Sequence, residues 1–220
     1  MVELSLVQKV VIWSLPLLFG ITVHEVAHGW VASKCGDQTA RLSGRLTLNP
    51  LKHIDLLGTI IVPLFFLVMT GFVFGWARPV PVDPRNFRHR RRDNALVAAA
   101  GPVSNFLMAL VWAALAKGGQ ALLMGNNTWL GNPLYMMGVA GVWINCVLGV
   151  LNLIPFPPLD GSKIIYSLLP GRWVWQLQRI EPYSFLILML LWITGYLFYF
   201  LTPAIFLVQK IAILFGLGAI

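Results

Sequence analysis

The pentapeptide His24-Glu25-Val26-Ala27-His28 sets two imidazoles four residues apart, with a carboxylate next to the first. On an α-helix, four residues turn the chain by about 400°, so both rings leave one face a single turn apart and can share one ion. Glu25 is displaced by about 100° and can reach a water on that ion without being a ligand. That is the place of a general base in zinc-dependent hydrolysis. Three fixed residues in five are a weak signal in a soluble chain. Here they fall inside an apolar run of about residues 5 to 33. Charged groups at the centre of a membrane helix cost roughly 2.5–3.5 kcal/mol each on insertion scales, so they are kept for function and need partners.

A catalytic zinc usually takes three protein ligands and keeps a fourth position open, so two imidazoles leave one ligand to find. Outside the motif the acidic residues are Glu3, Asp37, Asp55, Asp83, Asp93, Asp160 and Glu181, and the other histidines are His53 and His89. Asp160 closes the run Asn152-Leu153-Ile154-Pro155-Phe156-Pro157-Pro158-Leu159-Asp160-Gly161, directly behind an apolar stretch. Its three prolines unwind a helix and free backbone groups, which membrane depth tolerates only inside protein or along a wet cavity. Asp160 is therefore the candidate third ligand. The alternative is a turn in which Asp160 caps a helix beginning near Gly161. His53 and His89 sit among basic and polar residues and read as solvated or interfacial.

Groups of this kind must be positioned by the elements around them, and composition says what these are. Of the 220 residues 58% are hydrophobic and 11% charged, against about 45–50% apolar and about 25% charged in soluble domains. Apolar segments fall at about 5–33, 54–76, 95–117, 135–156, 183–201 and 203–219, and several reach the roughly 20 residues that cross a hydrocarbon core of about 30 Å. The expectation is an all-α polytopic membrane protein, a bundle of about five to six transmembrane helices forming a single membrane-embedded domain over residues 1–220. The first run has only Lys9 ahead of it and no small-residue cleavage site, so it reads as a retained helix rather than a signal peptide. The net charge of +8 lies in short connections between apolar runs. That is the positive-inside pattern, not a nucleic-acid-binding face. Cys35 and Cys146 form neither a disulfide framework nor a thiolate metal motif.

Two connections carry further signals. The alternating run Arg41 to Leu48 predicts a short strand or hairpin, and Pro79, Pro81 and Pro84 favour an extended edge segment over Trp76 to Pro84. Segment 54–76 has two readings. Hydropathy makes it a full span, whereas Pro63, Gly71 and Gly75 allow a re-entrant dip. The re-entrant reading puts the end of the first helix and Asp160 on one face. It also gathers Lys34, Arg41, Arg45, Lys52, the arginines from 78 to 92, Lys163, Arg172 and Arg179 on one side, which charge bias makes cytoplasmic.

With HExxH in an early membrane helix and Asn152 to Gly161 after a later one, the chain resembles the site-2 protease family of intramembrane zinc metalloproteases. Further matching stretches are His24 to Trp30, Leu48 to Gly58, Trp76 to Pro84 and Ala100 to Asn105. The resemblance implies one zinc per chain held by His24, His28 and Asp160, with Glu25 as general base and acid. It implies that Asn152 helps to hold the substrate or the developing oxyanion, and that substrates are single-pass or small membrane proteins within the lipid bilayer. Gly101-Pro102-Val103-Ser104-Asn105 resembles the GPxxN stretch of the family's middle helix, where close helix packing is expected. No PDZ or CBS-like domain is visible, so a minimal, prokaryotic form in the cell membrane is expected, with its active site nearer the cytoplasmic side. The rival reading is a membrane metal transporter or metal-binding protein using the same ligands, which would be expected to show repeated or paired ligand sets. A catalytically silent scaffold is the third.

Overall fold

The computed structural model of the chain describes residues 5–62, 65, 75, 77–218 and 220. Helix α1 (Leu6–Cys35) begins in a capping box in which Ser5 and Gln8 bond each other's backbone amides. It ends at Gly36, whose φ of +115° suits glycine. A short helix α2 (Thr39–Leu42) follows, then a 3-10 turn at Pro50–Lys52, a π-helical turn at Leu56–Ile61 and a second 3-10 turn at Pro84–Asn86. The remaining helices are α3 (Arg90–Met124), α4 (Thr128–Leu153), α5 (Asp160–Leu168), α6 (Gly171–Gln178), α7 (Ser184–Ile193) and α8 (Leu197–Phe215).

Among the described residues four helices are long and apolar enough to cross a membrane: α1 from Val10, α3, α4 and α8. This is fewer than the five to six expected. Part of segment 54–76 lies outside the described residues. Segment 183–201 is divided at Gly195, where φ is +79°. That leaves α7 with 10 residues, about 15 Å of helix against a core of about 30 Å.

Helices α3 and α4 form the centre of the bundle and meet through small residues. A Cβ on Gly138 would lie 2.6 Å from the Ala116 Cα, and one on Gly141 would lie 2.7 Å from the Trp112 Cβ. Small side chains at such seams let backbones approach where lipid offers no hydrophobic drive for association. Helix α8 packs on this pair, with Leu201, Ala204 and Val208 buried against Trp112, Val142 and Cys146.

The described residues contain no strand, so the expected hairpin at 41–48 and edge strand at 76–84 are not formed; Trp76 itself lies outside the described residues. Leu42 and Leu48 are 85% and 61% exposed, so the alternating apolar residues share no buried face. Asp37 accepts from the Thr39 amide and hydroxyl and starts α2 instead. In 77–83, Pro79 and Pro81 remove the ladder donors a strand would need. The amides of Arg78, Val80 and Asp83 are taken by the His53 carbonyl, Glu25 and Asp37 respectively.

The choice between the two readings of 54–76 falls on residues 63, 64, 66–74 and 76, which lie outside the described residues. The flanks of the segment meet: the Arg78 amide donates to the His53 carbonyl at 2.9 Å, and Arg45 donates to the Arg78 carbonyl at 2.9 Å. His53, expected to be solvated or interfacial, is 2% exposed, and its ring bonds the Thr47 carbonyl.

Asp37 is the anchor of this assembly. It accepts from the Asp83 amide and the Asn86 side chain, both at 2.8 Å, as well as from Thr39. Burial pushes its carboxyl up, but these hydrogen bonds outweigh burial and hold it below the usual carboxylate range. With the folded value depressed, the stabilisation is present above about pH 3.9 and is lost as pH falls through the folded value. Asp37→Ala leaves these donors without their acceptor and should lower stability by roughly 1–3 kcal/mol. Thermal unfolding in detergent and faster hydrogen exchange at the Asp83 amide would register it. Unchanged exchange there would rule out the anchoring role.

Candidate metal centre

The site is built where two helical faces meet. On α1, Gly20, His24 and His28 recur every four residues; on α3, Val97, Gly101 and Asn105 do the same. Such spacings place each trio on one face. The faces run antiparallel: His28 Nδ1 lies 2.6 Å from the Val97 carbonyl, and His24 Nδ1 lies 2.6 Å from Asn105 Oδ1. Between them stands Gly101, where a Cβ would come within 2.6 Å of His24 Nε2 and closer still to His28 Nε2. Only a residue without a side chain leaves room for both rings.

The third component comes from beyond the break after α4. That helix ends at Leu153, and Gly161 folds so tightly under it that a Cβ there would lie 2.6 Å from the Leu153 carbonyl carbon. Asp160 is the first residue of α5. Leu159 occupies the N-cap position and makes no side-chain cap bond, so the capping alternative for Asp160 is not realised. The carboxylate turns to the imidazoles instead. Its Oδ2 lies 3.1 Å from His24 Nε2 and 3.0 Å from His28 Nε2, and the two Nε2 atoms are 3.0 Å apart. Lys163, one turn along α5, holds the other oxygen at 3.1 Å.

The chemistry of this donor set fits a metal. A backbone carbonyl only accepts, so the proton of neutral His28 is on Nδ1, facing Val97, and its Nε2 presents a lone pair. That lone pair faces a carboxylate oxygen and a second imidazole nitrogen, an arrangement that is repulsive unless a cation lies between them. Tetrahedral zinc with ligand bonds of about 2.0–2.2 Å sets its ligands roughly 3.3–3.5 Å apart, close to the separations here. His24, His28 and Asp160 are 8%, 8% and 5% exposed, and in so dry a setting electrostatic effects are strong.

Glu25 points off the ligand face as its position on the helix requires. Its Oε2 accepts from the Val80 amide at 2.8 Å, so the extended 77–83 segment lies against the carboxylate. Asn152 is not drawn into the ligand cluster. It is half-buried near the end of α4, and its side chain donates to the Leu148 carbonyl at 3.0 Å. Asn105 and Lys163 contact the cluster, although the sequence placed Asn105 only in a GPxxN stretch of close helix packing and Lys163 only among the basic residues of one side. The four-residue spacing of Gly101 and Asn105, matching that of the histidines, was the available signal for the first; the i, i+3 spacing from Asp160 was the signal for the second.

The family model described as peptidase family M50 matches residues 122–194, which include Asn152 and Asp160. The chain is 40% identical over 193 residues to YwhC of Bacillus subtilis, provisionally named a zinc metalloprotease, covering 85% of this chain and 82% of that one. It is 26% identical over 181 residues to Rip2 of Mycolicibacterium smegmatis, also provisionally named a zinc metalloprotease, covering 80% of this chain and 64% of Rip2. Against the regulator of sigma-E protease RseP of Escherichia coli it is 37% identical over 97 residues, 41% of this chain and 21% of RseP. No solved structure matches significantly. The chain belongs to peptidase family M50, the site-2 protease family.

Gly101→Ala tests the site's shape without removing a ligand. Alanine favours a helix by about 1 kcal/mol over glycine, yet its methyl group would occupy the space of the two rings. The variant should fold and bind zinc about 10- to 100-fold more weakly than the wild type, as measured by chelator competition. Wild-type affinity would show that the rings do not converge there.

Proposed function

We propose that this chain is an intramembrane zinc endopeptidase that hydrolyses peptide bonds in membrane-embedded segments of single-pass or small membrane proteins. The observation that carries the reading is the convergence of two imidazole nitrogens and one carboxylate oxygen within 3.1 Å, on elements 132 and 136 residues apart in sequence. Glu25 next to this cluster adds the base that hydrolysis needs.

His24, His28 and Asp160 would hold the metal, one ion per chain. When bound, zinc would supply Lewis-acid chemistry, polarising the scissile carbonyl and making a water easier to deprotonate. Glu25 takes the proton from the attacking water and later delivers it to the leaving amine. The Val80 amide keeps the Glu25 carboxylate turned toward the 77–83 segment, which flanks the path of a substrate backbone. Lys163 keeps the second oxygen of Asp160 occupied, so one oxygen is left for the metal. Asn152 is proposed to meet the substrate or its developing oxyanion; its bond to its own helix would have to be exchanged for that contact. A substrate helix shields its peptide bonds with internal hydrogen bonds, so it must unwind locally before it can enter.

The C-terminal end of α1, the 45–53 stretch, 77–92 and α5 lie at one end of the bundle and carry most of the basic residues. Under the positive-inside rule this end faces the cytoplasm, which puts the site nearer that side.

Glu25→Gln separates the protease from the transporter reading. The protease predicts that zinc is retained while cleavage falls by at least about 100-fold, the lower end for loss of a general base. Membrane stubs should accumulate in cells carrying the variant, as read by quantitative proteomics. Wild-type levels of every membrane stub, together with altered metal uptake, would contradict it.

A further inference from the structure

We propose that Asn105 and Asn145 are positioning residues, two buried amides that fix which nitrogen of His24 carries the proton and so hold His24 Nε2 free to bind metal. The inference rests on His24 being a ligand.

The assignment starts from two backbone carbonyls, which can only accept hydrogen bonds. The Asn145 side chain places one amide atom 2.9 Å from the Gly141 carbonyl, and the Asn105 side chain places one 3.2 Å from the Gly20 carbonyl. Both atoms must therefore be NH2 groups. This fixes the orientation of each amide from the hydrogen-bond network alone. Asn145 Oδ1 is then the atom that accepts from Asn105 Nδ2 at 3.0 Å. Asn105 Oδ1 is the atom that faces His24 Nδ1 at 2.6 Å. An amide oxygen only accepts, so His24 carries its proton on Nδ1 and presents a lone pair at Nε2.

Every link is shielded. Asn105 and Asn145 are both 0% exposed, so no water competes for their atoms. Rotating Asn145 would set N–H against N–H at Asn105 and oxygen against oxygen at Gly141, and rotating Asn105 would set its oxygen against both the Gly20 carbonyl and Asn145 Oδ1. The chain joins three helices: α4 supplies Asn145, α3 supplies Asn105, and α1 supplies Gly20 and His24. Gly20 is required for the approach, because a Cβ there would lie 2.9 Å from Asn145 Oδ1. His28 reaches the same state through Val97, so the two imidazoles are prepared alike by separate routes.

Polar side chains between membrane helices also act as plain adhesive, so the test must read the metal or the proton rather than stability alone. In the full chain purified in detergent, zinc affinity is measured by chelator competition, and the His24 ring nitrogens are read by 15N NMR in the zinc-free protein. Asn105→Leu is expected to weaken zinc binding by about 10- to 100-fold, and Asn145→Leu by about tenfold. Asn145→Asp keeps the acceptor for Asn105 and should bind zinc more tightly than Asn145→Leu. In the zinc-free wild type, His24 should show a protonated Nδ1. Loss of thermal stability with zinc affinity unchanged would overturn the proposal, as would a His24 unprotonated at Nδ1. Should the leucine variants fail to fold, the wild-type spectrum still decides it. A wild type that binds no zinc would refute the ligand reading, while the NMR result would still judge the amide chain.

Discussion

Three electron-pair donors brought within 3.1 Å of one another repel unless something positive lies between them, and the rest of the fold is arranged around holding them there. Two come from successive turns of α1 and the third from the start of α5. The helical repeat sets the first two side by side. The third depends on α4 stopping at Leu153 and the chain turning back beneath it, which Pro155 to Pro158 and Gly161 make happen. Each donor is steered from behind: His28 by a carbonyl, His24 by an amide and Asp160 by a lysine. Partners of this kind orient ligands and tune their basicity.

Burial and close packing follow from the same constraint. Polar groups kept away from water must be paired, so the helices around the centre come close enough for side chain to meet backbone. Glycines make this approach feasible. Gly101 clears the space for the rings, Gly20 lets Asn145 reach α1, and Gly138 and Gly141 bring α3 and α4 together. Outside the bundle, Asp37 ties the turn after α1 to the segment that lies on Glu25.

Much of the site was legible in the sequence because its signals are local. HExxH states its own geometry through the helical repeat, and the proline-broken run before Asp160 marks a helix end at depth. The helical class and the membrane-crossing runs follow from composition, and family membership agrees with them. What escaped was what depends on contacts between distant segments. The alternation at 41–48 mimicked a strand, but Leu42 and Leu48 find no surface to cover and Asp37 starts a helical turn instead. His53 looked solvated or interfacial because nothing nearby in sequence reveals that the Arg78 amide will bond its carbonyl. The amide chain through Asn105 and Asn145 joins residues 40 apart, and no periodicity within one helix encodes it.

The most direct test of the central claim is zinc K-edge X-ray absorption on the purified chain, with metal content measured on the same sample. One zinc per chain, with two imidazole nitrogens at about 2.0–2.1 Å and a carboxylate oxygen at about 2.0–2.2 Å in the first shell, is the predicted result. A metal-free protein, or a zinc whose shell lacks two imidazoles, would contradict the account.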